Sequence, residues 1–255
     1  MKTRAHQSLQ DETYATLRRW LSLGRFVPGE RLRIHALAEQ LGVGEMPVRA
    51  ALVRLAAESA LVSVPNRGVL VPQLTRAQFD DALNVRVMLE GEAASLATPR
   101  LTDDEIAQLD ALCAHMGEAL AQNRRTRYLD ANEVFHLVLY RACGSPLLVD
   151  LIETVWLQVG PISNLLFDDS GFAATLNDAH DGLMRRLKRR DAEGVRHAIE
   201  RELRHAAQQL HKHCLPDAVG NGADYSAANG AGDTQIIAHA GRPARRSATP
   251  AKLRT

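Results

Sequence analysis

Two places in this sequence carry side chains whose types and spacing suit chemistry. Asn132 and His136 lie four residues apart, which puts an amide and an imidazole on one face of a helix. Such a pair could ligate a divalent metal; the plain alternative is a set of partly buried polar groups bonded to one another. The second place is the stretch 41–55, LGVGEMPVRAALVRL. Gly42 stands where a tight turn between helices needs a residue without a side chain, and Pro47 where a first helical turn tolerates the loss of an N–H. Val48, Ala51, Leu52 and Leu55 recur at helical spacing, while Arg49 and Arg54 leave from other faces. A short helix with one apolar face and arginines elsewhere suits a DNA major groove, and equally an ordinary helical hairpin.

Composition narrows the setting. The chain has 255 residues, 45% hydrophobic and only 4% aromatic, so it can bury a core built mainly of aliphatic helix packing. No run approaches the roughly 18 apolar residues of a membrane span, and MKTRAHQSLQDETY lacks the apolar stretch of a signal peptide. Cys113, Cys143 and Cys214 fit neither a zinc spacing nor a disulfide framework, which makes a reducing cytoplasm the expected location. The net charge of +1 conceals a gradient: +4 over residues 1–72, −5 over 73–215 and +2 over 216–255. A basic head on an acidic body points to two domains, with the head toward phosphates.

The elements that would position these groups follow in order. A first helix is expected over 7–23, with Leu9, Thr13, Leu17 and Leu21 on one side and Asp11 and Glu12 early, where a helix N-terminus favours anions. Gly24 stops it, Pro28-Gly29 turns, and a second helix runs over 33–41. After the third helix, LVSVPNRGVLVPQL (61–74) reads as two β-prone runs around the turn Pro65-Asn66-Arg67-Gly68. Three helices and a hairpin make a winged helix. From Thr75 to about 213 the pattern is helical, with a capping box at Thr102–Glu105, a break at Gly144-Ser145-Pro146, and a kink or end at Gly160-Pro161. Further helices are expected over 126–143, from Thr175 to Arg189 and from Ala192 to His211. The fold class is therefore mostly α: a winged helix-turn-helix over 1–74, an all-α antiparallel helical bundle over 75–215, and a Gly/Ala/Pro/Ser-rich tail over 216–255 that reads as disordered.

The strings GRFVPGERL (24–32), LAEQLGVGEMPVRAALVRLAAESALV (37–62) and PNRGVLV (65–71) resemble the GntR-type bacterial transcription regulators across nearly the whole first seventy residues. The resemblance implies DNA-contacting roles for Arg33, for Arg49, for the start of the recognition helix and for the wing tip at Asn66, Arg67 and Gly68. The chain departs from the family at that helix start: Gly44-Glu45-Met46 replaces a common Ser-Arg-Thr. A carboxylate is unfavourable near phosphates but accepts a hydrogen bond from cytosine N4, so Glu45 implies either an altered operator or weaker binding.

RVMLEGEAASLA (86–97), the helix around Phe135-His136, CGSPLL (143–148) and AHDGLMRRLKRRDAEGVRHAI (179–199) resemble the FCD domain, the helical ligand-binding domain of the FadR-like subgroup. That subgroup holds a metal with an Asp or Asn, a His four later, and two histidines twenty-two apart. Here Asn132, His136 and His180 match, and counting twenty-two from His180 reaches Glu202, a carboxylate in place of the imidazole. Glutamate suits zinc, the first expectation, as well as nickel or manganese. His205, one turn on, is the substitute if the helix rotates. The resemblance further implies a small carboxylate effector, meeting the metal or Arg86. Arg86 lies on an otherwise apolar stripe, and Glu90, four residues on, is its competing partner.

Together these readings predict a ligand-responsive transcription regulator, a homodimer on a palindromic double-stranded operator, acting as repressor or activator. A metal-dependent enzyme using the same site is the alternative. A nucleoid-type DNA binder would leave the acidic body without a purpose.

Overall fold

The computed structural model describes residues 2–217. The expected tail, 216–255, lies outside the described residues except for its first two positions. The head contains α1 (Lys2–Ser22), β1 (Arg31–Leu32), α2 (Ile34–Leu41), α3 (Glu45–Ala57), β2 (Val62–Val64) and β3 (Gly68–Leu70). The helical body contains α4 (Arg76–Ala97), α5 (Asp103–Ala121), α6 (Arg125–Arg141), α7 (Pro146–Ser163), α8 (Ser170–Thr175), α9 (Asp178–Leu187) and α10 (Ala192–Leu210).

The head follows from its local chemistry. Gly42 takes φ 65°, a left-handed cap that turns the chain from α2 into α3 and returns its N–H to Ala38 and Glu39. Val48, Ala51, Leu52 and Leu55 are buried against Leu17 and Leu21 of α1 in one apolar cluster. The wing turn has both Asn66 (φ 62°) and Gly68 (φ 82°) at positive φ. The wing is a three-stranded antiparallel sheet of order β1-β3-β2, in which Arg31 faces Leu70 and Ser63 faces Val69. The short strand β1 carries too few residues for an alternation to announce it.

Two expectations about α1 and α3 change. Helix α1 begins at Lys2, so Asp11 and Glu12 lie in its middle and have no N-terminal dipole to meet. Asp11 instead lies 3.7 Å from Arg54, which also pairs with Glu58 at 3.2 Å and stacks over the Tyr14 ring at 3.6 Å. Arg54 thus ties α3 to α1.

In the body, Thr75 and Thr102 each form a complete capping box, with Gln78 and Glu105. Helix α4 packs against α10, α7 and α6, and α5 against α6 and α9. The main core gathers Leu109, Met116, Phe135, Leu139, Leu183 and Ile199. The expected helix from Thr175 to Arg189 is divided: α8 ends at Thr175, and α9 starts after Asn177. Helix α7 passes through Pro161, ends at Ser163 and tightens into a 3-10 turn over Asn164–Asp168.

Head and body share packing. Leu157 of α7 belongs to the head's apolar cluster, and Arg18 meets Glu153 at 2.8 Å while Arg19 meets Glu133 at 2.8 Å. Gly160 explains itself here: a Cβ on it would overlap the Leu21 carbonyl oxygen, so only glycine lets α7 approach the end of α1 this closely. A strap closes the other side. Leu215 forms a parallel bridge to Thr75, its N–H donates to the Leu74 carbonyl (2.9 Å), and Asp217 accepts from the Ala77 N–H (2.8 Å). The last described residues are thereby fastened to the linker between wing and α4.

Candidate functional site

The head presents one face of exposed polar groups. Gly44 is the N-cap of α3 and donates no side chain, so the first turn is open to solvent. Glu45, Met46 and Arg49 are exposed on it, while Pro47 and Val48 turn inward. Arg33 is exposed at the N-cap of α2, and Asn66, Arg67 and Gly68 are exposed at the wing tip. Among the described residues Arg33, Arg49 and Arg67 make no ion pair, in contrast to Arg54. Two neighbours escaped the sequence reading. The Arg31 guanidinium lies beside Gly68, 3.8 Å from where a Cβ would stand. His35 Nδ1 lies 3.3 Å from a Glu45 oxygen, which gives that carboxylate a partner on α2.

The second site lies inside the body, where α6, α9 and α10 bring His136, His180 and Glu202 together with one ligand atom each, all within 4.8 Å. Asn132, one turn before His136, lines the same cavity. His205 also borders the cavity but stands outside the group, its ring 5.0 Å from that of Phe172. The helix needs no rotation, because Glu202 already reaches both imidazoles.

Hydrogen bonds orient both imidazoles and favour the tautomer each would need to act as a ligand. Glu90 is 1% exposed and accepts three bonds: from Arg86 Nε (2.7 Å), Trp156 Nε1 (2.9 Å) and the Tyr140 hydroxyl (2.9 Å). Because the Tyr140 proton goes to Glu90, its oxygen is left to accept from His136 Nδ1–H at 3.2 Å. His180 Nδ1 lies 3.3 Å from the Leu176 carbonyl, which can only accept. Both Nε2 atoms then carry lone pairs toward Glu202 Oε1, at 3.3 Å from His136 and 3.7 Å from His180.

Electrostatics agree. Burial pushes the His180 pKa down, against the pull of Glu202, which favours the neutral ring. Burial alone would raise Glu202, but His180 and His136 in their protonated forms, with Arg86, outweigh it and hold its carboxyl at about 2. With both rings neutral the carboxylate faces two lone pairs, and a cation between them would take the place of those protons. His180 Nε2 and Glu202 Oε2 are buried with no hydrogen-bond partner. Buried orphans of this kind call for an ion between them, and two imidazoles plus a carboxylate are a donor set for zinc, nickel or manganese. The residues fit a divalent metal.

Arg86 borders the cavity as expected, yet its Nε is committed to Glu90. The hub made by Glu90, Tyr140 and Trp156 was not apparent from the sequence. The three cysteines are free and buried, and no described helix is long and apolar enough to cross a membrane.

Comparison with known proteins gives this geometry a context. Residues 9–71 match the bacterial regulatory proteins of the gntR family, and residues 81–205 match the FCD domain. The HTH-type transcriptional regulator McbR of Escherichia coli K12 is 33% identical over 196 residues, covering 76% of this chain and 89% of McbR. The HTH-type transcriptional repressor RspR of the same organism is 24% identical over 205 residues, covering 80% of this chain and 90% of RspR. The solved structure of E. coli McbR/YncC superposes with a TM-score of 0.75 at 30% identity, covering 80% of this chain and 97% of that one. These relatives are named as regulators, which removes the metal-dependent enzyme from consideration. The chain belongs to the gntR family of bacterial regulatory proteins, with a winged helix-turn-helix ahead of an FCD domain, and is a transcription regulator rather than an enzyme.

Proposed function

We propose that this regulator is a homodimeric repressor whose hold on a palindromic operator is set by a small carboxylate effector at a metal-dependent site in the helical body. The observation that carries the reading is the convergence of His136, His180 and Glu202 with two orphaned buried acceptors. His136 and His180 would hold the ion through Nε2, Glu202 through its carboxylate, and Asn132 lines the cavity beside them. A bound divalent ion would supply a Lewis-acid centre for the effector's carboxylate. Tyr140 and the Leu176 carbonyl orient the two rings.

The cavity also supports a route to DNA. Ser22 and Leu23, at the end of α1, form part of its wall, and α1 packs directly on α3. An occupant that displaces Leu23 shifts the helix on which the recognition helix rests. Coupling of this kind is worth about 1–3 kcal/mol, or roughly 5–150-fold in operator affinity. Arg49 and the first turn of α3 would read the major groove, with Arg33 on the backbone and Asn66, Arg67 and Gly68 at the minor groove. In the bacterial cell such a protein acts in the cytoplasm, where its operator is.

The deciding experiment is a gel shift on the DNA upstream of its own gene, with zinc-loaded and metal-stripped protein. Sequence-selective binding that Arg49→Ala abolishes is the expected result. Binding that ignores sequence, or protein that retains no zinc after purification in its presence, overturns the corresponding half of the proposal.

A further inference from the structure

We propose that the effector is a monocarboxylate with a compact apolar body, about one ring or a short alkyl chain, and that dicarboxylates are disfavoured. This deepens the metal-dependent reading above and rests on it. The cavity beside His136 and Glu202 measures about 150 Å³. Cavities of about that size in an apolar setting hold a benzene ring. Its walls are largely apolar, including Phe79, Leu83, Trp156, Val159, Phe167 and Phe172. A ligand that fills this space must present carbon to most of it.

The charges set the rest. Among the described residues Arg86 is the only Lys or Arg on the lining, and Glu90 already balances its charge and accepts from its Nε at 2.7 Å. The lining carboxylates are Glu133 and Glu202; Arg19 meets Glu133 from outside the lining, at 2.8 Å. With two neutral imidazoles, Glu202 leaves a held dication with a single net positive charge, which one carboxylate neutralises. A second carboxylate on the ligand would find the charge of Arg86 already balanced by Glu90 and no other Lys or Arg among the described lining residues. Burying a charge without a partner is strongly unfavourable, so the site selects by what it lacks.

The test is calorimetric titration of the zinc-loaded full chain with benzoate, hexanoate, succinate and glutarate, with zinc content measured before and after. Benzoate and hexanoate are expected to bind at least about tenfold more tightly than succinate and glutarate, each equivalent to about 1.4 kcal/mol. Trp156 on the cavity wall gives an independent fluorescence readout of the same titrations. Zinc retained with succinate or glutarate bound as tightly as benzoate overturns this inference and leaves the metal site standing. A chain that retains no zinc overturns the metal reading and this one with it.

Discussion

Replacing Tyr140 by Phe isolates the part played by the residues behind the proposed metal ligands. The ring is fully buried and Phe keeps its volume, so the perturbation is one hydroxyl. Its loss strips the acceptor from His136 Nδ1–H and one donor from Glu90, which retains Arg86 and Trp156. Leaving a buried donor unpaired costs about 1–3 kcal/mol of fold stability. Without that acceptor the His136 ring is free to change tautomer or turn, and the partners behind metal-bound histidines typically govern about 10–100-fold in metal affinity. The expected result is zinc affinity weaker by about 10–100-fold, or about 1.4–2.7 kcal/mol, measured by competition with a chelator. Trp156→Phe is the control: it removes a different donor from the same Glu90 and does not touch His136 through a hydrogen bond. Equal zinc affinity in Tyr140→Phe and the native chain, or equal losses in both variants, would refute the tautomer argument.

Three further outcomes are expected. Gly160→Val should drive α7 from the end of α1, lowering stability by about 1–3 kcal/mol in a thermal melt and changing operator affinity while zinc binding persists; unchanged operator affinity would sever α1 from the proposed route. Leu147 (69% exposed) and Leu151 lie one turn apart on α7, beside α4 with its exposed Met88 (62%), so Leu147→Glu should convert a dimer to a monomer in light scattering, and a persisting dimer places the interface elsewhere. Glu45→Arg should change which operator variants are bound in a selection from randomised half-sites, whereas an unaltered preference would show that the pairing with His35 keeps Glu45 away from the bases.

Local pattern made the winged helix and the Asn132–His136 pair legible. Gly42, Pro47 and the apolar repeat of α3 act within a few residues of one another, and His136 and Asn132 share one helix face. His180 and Glu202 were reached only along a resemblance, because no periodicity ties either of them to His136. What stayed hidden depends on distant partners. Glu90 meets Tyr140 across 50 positions and Trp156 across 66, so its burial could not be read from α4 alone. That Arg54 leaves α3 away from its apolar face was legible, but not that Asp11 and Tyr14 of α1 hold it. Gly160 looked like a simple helix breaker beside Pro161, and its reason lies on a helix nearly the whole body away in sequence.

The strap that fastens Asp217 to Ala77, 140 positions earlier, also sets an order of events during synthesis. Ribosomes add about 5–20 residues per second, so roughly 7–28 s separate the emergence of the linker from that of its fastening. In that interval the local contacts of the head can form, yet Leu157, which completes its core, and Glu202, which completes the ligand set, are still to come. A nascent head is therefore assembled before anything can instruct it. On the proposed reading the metal-dependent response is acquired after the DNA-reading surface, and a chain cut short before Leu215 would retain that surface while losing the fastening at the linker.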